Sequence, residues 1–212
     1  MALALSSYAV LFTLAYVRIA VGPGALLLFG SVQLTMFGAA HAHGERLSPV
    51  QWAGVALALA AFLVLTLPGL TAPDPLGAVL MAGAGISWGV YSLAGRRSTD
   101  PLSVTADNFL RASGIVLVAA VAIGLRGPFS VTGFILATAS GAVASALAYA
   151  AWFAVLPVIP VWRAATIQLS VPVLTALGAA ALLREPIHLR LAGAMGLAVL
   201  GIWLTTNRSR SR

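Results

Sequence analysis

Residues 168–188, QLSVPVLTALGAAALLREPIH, carry an apolar helix into a charged corner that opens the next apolar segment. The same construction stands 140 residues earlier: Thr35, Gly38, Ala39, Ala40 and Glu45 fall on the positions of Thr175, Gly178, Ala179, Ala180 and Glu185. An apolar helix, a corner with one glutamate and a second apolar helix have been used twice. Self-similarity of this kind reveals architecture before any local pattern does. It points to a duplicated protein built for lipid.

Composition agrees. Of 212 residues, 60% are hydrophobic and 8% charged, with a mean hydropathy of +1.00, against the roughly 25% charged of an average soluble domain. There is too little polar surface to coat a soluble core of this size, so the bilayer is the expected solvent and an all-α, multi-pass bundle the expected fold class. Without cysteine, neither disulfides nor a thiol nucleophile can form. The net charge of +7 comes from arginine alone, and the arginines stand singly or in pairs between apolar segments. That distribution supplies topology signals and lacks the phosphate-tracking face of a nucleic-acid binder.

Outward from the repeated corner, eight stretches approach the roughly 20 residues that cross a bilayer core. They are residues 3–21, 25–42, 50–67, 76–95, 103–124, 131–156, 164–183 and 191–206, followed by an arginine-serine tail. The first is not a cleavable signal peptide, since no basic region precedes it and another span follows at once. Gly22-Pro23-Gly24 reads as the first corner. The polar, proline-rich stretch 68–75 reads as the boundary between two halves, 1–70 and 71–212. Three spans precede it and five follow. An odd-numbered repeat inserts with opposite orientation to its neighbour, which is the logic of inverted-topology transporters. The expected architecture is therefore two unequal inverted repeats, three helices plus five.

Arginine placement orients the chain. With both ends on one side, that side collects Arg46, Arg96, Arg97, Arg163, Arg208, Arg210 and Arg212, and the other collects Arg18, Arg126, Arg184 and Arg190. The excess places both termini in the cytoplasm and the protein in the cell membrane.

Several soft motifs in fixed order carry a family resemblance. They are Asp74-Pro75-Leu76-Gly77, Ser87-Trp88-Gly89-Val90-Tyr91-Ser92, Asn108-Phe109-Leu110-Arg111, Ala148-Tyr149-Ala150-Ala151-Trp152-Phe153, Gln168-Leu169-Ser170-Val171-Pro172-Val173 and Glu185-Pro186. In the first half, Tyr8 and Phe12 stand as counterparts of Tyr149 and Phe153. Over essentially its whole length the chain resembles the drug/metabolite transporter superfamily, specifically its EamA-type members, which have ten spans in two five-helix repeats. It matches them from their third helix onward. The resemblance implies secondary transport of a small metabolite (an amino acid, amine or drug-like solute), with export outward by alternating access. A truncated, non-transporting membrane protein or a helical subunit packed with a partner is the alternative, and a homodimer is one way to complete the bundle.

The residues that could contact a solute are those whose polarity is costly in lipid. Trp88 and Tyr91 stand three apart on one span, as do Tyr149 and Trp152, and could wall a cavity by stacking and hydrogen bonding; belt aromatics or plain packing is the competing reading. Asp107 and Arg111 are spaced to pair on one helix face, with Arg111 available to a carboxylate and Asn108 to orient it; anchoring at the headgroups competes. Gln168 and Gln33 offer donor and acceptor together, for a cavity or for glue between helices. Gly85-x-x-x-Gly89 and Gly141-x-x-x-Ser145 favour close helix packing. Glu45 and Glu185 read as corner residues.

Enzymatic readings are weak. His41, His43 and Glu45 lack the i, i+4 spacing of a helical metal site. The serines lack the G-x-S-x-G setting of a nucleophile elbow. No cofactor, metal or catalytic residue is expected, and with no ATP-binding motif in the sequence the energy for transport is expected from a gradient.

Overall fold

The computed structural model describes residues 1–44, 48–66, 73–96, 98–122, 130–168, 170–184 and 186–206, and its described elements are all helical. In chain order they are α1 (Ala2–Tyr16), α2 (Val21–Ala42), α3 (Pro49–Thr66), α4 (Pro75–Gly95), α5 (Pro101–Ala122), α6 (Val131–Val158), α7 (Val161–Gln168), α8 (Ser170–Leu183) and α9 (Leu189–Thr206). Among the described residues, Val21–Ala42, Pro75–Gly95, Pro101–Val121 and Val131–Val158 are each long and apolar enough to cross a membrane. An all-α membrane bundle is what the composition requires, because only a backbone satisfied within itself can enter hydrocarbon.

Start and stop residues explain the helix bounds. Asp74 caps α4 by accepting the Gly77 amide at 2.7 Å, with Pro75 in the first turn where its missing N–H costs nothing. Asp100 caps α5 through the Ser103 amide at 3.2 Å, and Ser103 holds its carboxyl below the usual carboxylate range. Ser130 caps α6 in the same way at Gly133. One corner differs from the sequence reading. Gly22-Pro23-Gly24 lies inside the first turn of α2, and the chain reverses earlier, over residues 17–20. Proline is tolerated in a first turn, so the tripeptide starts a helix here instead of ending one.

The 140-residue offset also relates features of the backbone. Shifted by 140 residues, the bounds of α3 become those of α9. Gly44, after α2, has φ +77°, and Arg184, at the matching position after α8, has φ +58°. Both corners therefore close with a left-handed residue, the usual way to end a helix, although only the first uses glycine. Glu45 and Glu185 themselves lie outside the described residues, as do the boundary residues 67–72 and Arg46, Arg97, Arg126, Arg208, Arg210 and Arg212 of the orientation count.

Packing centres on α4 and α2. The α4 helix lies against α1 and α2, α3 runs along α9, and α2 also touches α7 and α8. A Cβ at Gly85 would collide with the Leu28 carbonyl of α2, and one at Gly89 would stand 2.8 Å from Thr35 Cβ. The two glycines thus let α4 lie against the α2 backbone. Gly141 has no such neighbour and faces a cavity. Two buried clusters result. One is built on Leu26, Leu27, Met81 and Leu191; the other on Val32, Met36, Trp88, Tyr91 and Phe153; Tyr8 and Phe29 touch both. Outward faces are aliphatic, as on α5 (Leu117, Val118, Val121).

Replacing Gly85 with valine should destabilise the protein by about 1–3 kcal/mol through overpacking against backbone, whereas Gly114→Ala, with open space around it, should not. Thermal unfolding in detergent distinguishes them. Arg184→Gly should raise stability by about 1 kcal/mol by relieving the left-handed conformation; an unchanged or lowered melting temperature would contradict the strained corner.

Candidate solute-binding cavity

The inner face of α4 repeats every three or four residues through Met81, Ala84, Trp88, Tyr91 and Gly95, with the buried Ser92 beside Tyr91. This is the spacing that keeps one stripe of a helix turned inward. From it, Trp88 meets the Tyr149 ring of α6 at 4.6 Å and the Tyr8 ring of α1 at 5.3 Å between centroids. Tyr91 packs between Tyr149 and Phe153, at 6.2 and 5.0 Å. Phe109 of α5 closes on Tyr149 at 5.4 Å. All five contacts are tilted, the arrangement that ring quadrupoles favour over flat stacking.

Polar atoms inside this cluster are paired across helices. The Trp88 indole Nε1 donates to Gln168 Oε1 at 2.6 Å, and the Gln168 amide reaches Met36 Sδ at 3.2 Å. One glutamine, 6% exposed at the end of α7, therefore ties α4 to α2. Trp152 Nε1 donates to Ser92 Oγ at 3.2 Å. The Tyr91 hydroxyl is shut off from solvent without a well-formed hydrogen bond, and Asn108 of α5 is the side chain that approaches it. Tyr8 and Tyr149 lie side by side at the candidate cavity.

Beside the cluster lies a cavity of about 370 Å³, walled by Tyr8, Phe29, Trp88, Tyr149, Trp152 and Gln168 together with aliphatic side chains of α2, α7 and α8. Among the described residues that line it there is no carboxylate, arginine or histidine. Of the seven residues singled out from the sequence, Trp88, Tyr149, Trp152 and Gln168 line it, Tyr91 supports it from behind, and Asn108 is buried beyond Tyr91. Arg111 stays on the outer flank of α5, its Nε 2.9 Å from Asp107 Oδ1, with both side chains more than half exposed. Tyr8 and Phe29 complete the wall. Tyr8 was legible as the counterpart of Tyr149, whereas nothing about the apolar run around Phe29 marks it.

Membrane-length apolar helices around an internal aromatic cavity define a polytopic membrane protein of transporter type. The chain matches the EamA-like transporter family over residues 75–207 and belongs to that family. It is 48% identical over 202 residues to the uncharacterized protein PA1977 of Pseudomonas aeruginosa strain PAO1, covering 94% of this chain and 69% of that protein. A shorter match, 33% identical over 78 residues, links it to the uncharacterized inner membrane transporter YedA of Escherichia coli K12, covering 36% of this chain and 26% of YedA. A solved crystal structure superposes with a TM-score of 0.74 at 23% identity, covering 98% of this chain and 74% of the other, and so shares the fold.

The Trp88–Gln168 bond should be measurable as a coupling. In a double-mutant cycle of Trp88→Phe and Gln168→Leu, followed by denaturation in detergent, a coupling of about 0.5–1.5 kcal/mol is expected for a buried interhelical bond. Additive losses would show that the two side chains act independently.

Proposed function

We propose that the chain moves a small, uncharged or ring-bearing metabolite outward across the cytoplasmic membrane, as a secondary transporter working by alternating access. The observation that carries this reading is the 370 Å³ cavity walled by aromatic faces, one amide and the Ser170 hydroxyl, inside a member of the EamA-like transporter family. Indole and phenol rings offer flat surfaces to a ring or aliphatic body, and Gln168 offers both a donor and an acceptor. With no charge among the described residues of its walls, the cavity gives no counter-ion to a free cation or anion. A neutral solute fits it better.

In this reading Trp88, Tyr91, Tyr149, Trp152 and Gln168 form the binding site. Asn108 orients Tyr91, and Arg111 with Asp107 serves the outer face of α5. The repeats 1–70 and 71–212 rock about this site, and both ends of the chain lie in the cytoplasm. The matched bounds of α3 and α9 and the matched left-handed corners support the repeat.

The test is flux through purified protein in liposomes, using labelled aromatic, aliphatic and charged metabolites. Trp88→Ala, Tyr149→Ala and Gln168→Ala should each lower flux of a transported ring compound by about tenfold or more, since one lost stacking or hydrogen-bond contact removes roughly 1–3 kcal/mol. Their recovery from membranes should match the parent chain. Undiminished flux in all three would overturn the site, and a parent chain that moves none of the panel would overturn the transport reading.

A further inference from the structure

A second cavity, of about 440 Å³, lies between α1, α5 and α6. Tyr8 and Tyr149 line both it and the aromatic cavity, so the pair stands as a partition between them. The chemistry of the second space is different. Besides the two tyrosines its described lining includes Thr13 and Ser113, whose hydroxyls donate to carbonyls of their own helices, and Ser140 and Ser145, with no charged side chain among the described residues.

Two features of α6 separate this space from an ordinary lipid-facing groove. The helix turns Ala137, Gly141, Ser145 and Tyr149 into the cavity while Val131, Phe134, Ile135, Leu136, Val143 and Leu147 stand 60–65% exposed elsewhere on its surface. On α6 the cavity side thus carries small and hydroxyl-bearing residues, whereas Leu5 and Phe12 of α1 and Phe109 and Val116 of α5 supply apolar walls opposite. In addition, the stretch Ser140–Leu147 is π-helical. A π-helical stretch is uncommon and is found disproportionately at functional sites. Here it supplies Ser140, Gly141 and Ser145 to the cavity wall.

We infer that this cavity is a second, water-filled subsite on the solute's route, which takes the hydrogen-bonding end of an uncharged amphipathic solute whose ring lies against Trp88 and Trp152. Tyr8 and Tyr149 part to let the solute span the two spaces. This rests on the transport reading for its solute, but not for its water.

The natural chain contains no cysteine, so single thiols can be read cleanly. The parent is compared with Ser145→Cys, Ser140→Cys, Val143→Cys and Ser170→Cys, all reconstituted as the full chain and treated with trimethylammonium-ethyl methanethiosulfonate. This charged reagent needs a thiolate, which does not form in hydrocarbon. Ser145→Cys and Ser140→Cys should react at least about tenfold faster than Val143→Cys on the outer face of the same helix. Equal rates would overturn the water-filled subsite. Competition then assigns the solute. Tryptophol, an indole bearing a hydroxyl, should slow labelling of both Ser145→Cys and Ser170→Cys, the latter in the aromatic cavity. The hydroxyl-free 3-ethylindole should slow only Ser170→Cys. Equal protection of Ser145→Cys by both compounds would overturn its role for the polar end. Protection of neither position would overturn the aromatic-solute reading while leaving the labelling rates to decide the subsite.

Discussion

The fold depends on how closely α4 can approach α2. At Gly85 and Gly89 the two helices meet with no side chain between them on the α4 side, and Gly85 faces the Leu28 carbonyl directly. Trp88 lies between these glycines in sequence, on the same inward stripe. Its indole can reach Gln168 only because the helix carrying it is held this near. In lipid there is little hydrophobic force to press helices together, so packing of small residues and a few interhelical hydrogen bonds must do so. The glycines stand at this crossing, and the bonds of Trp88 and Ser92 run from the same helix to α7 and α6. A bulkier residue at Gly85 would displace the tryptophan, loosen Gln168 from Met36 and open the wall of the cavity together.

The membrane class was readable because lipid imposes a simple demand: apolar side chains all round and hydrogen bonds closed within each helix. The 140-residue offset was readable because it is carried by small residues and a corner glutamate. What eluded sequence reading was local. Gly22-Pro23-Gly24 has the composition of a turn and also of a helix start, and only the earlier reversal over residues 17–20 resolves which it is. The left-handed Arg184 could not be anticipated, since arginine has no preference for that conformation; its glycine counterpart at position 44 was the one available hint. Nor does any pattern in Ser140–Leu147 announce a π-helical run.

The candidate site divides along the same line. Aromatics three apart, Trp88 with Tyr91 and Tyr149 with Trp152, share a face by helical geometry alone, and the structure brings those faces together. Asp107 and Arg111 obey the same spacing rule and form their pair, yet on the flank of α5 away from its buried stripe of Thr105, Asn108 and Ala112. Spacing says that two residues are neighbours. It does not say which way the helix is rotated, and on an apolar helix little else in the sequence does.

The polarity of the interior follows from its dielectric. A charge on the wall of a small cavity would cost several kcal/mol when the cavity is dry and would bind a countercharge tightly when it is wet. Neutral donors and acceptors avoid both extremes. Trp88, Gln168, Trp152 and Ser92 satisfy one another when the cavity holds no solute, and each bond given up to a guest is replaced by one of similar strength. Such a wall exchanges partners with small net change in free energy, which suits the transport proposed above. The unpaired Tyr91 hydroxyl is the exception. Buried beside Asn108 at the back of the cluster, it is the polar group with most to gain from a rearrangement of the helices around it, so its hydrogen bonding offers a natural distinction between this conformation and any other the bundle adopts.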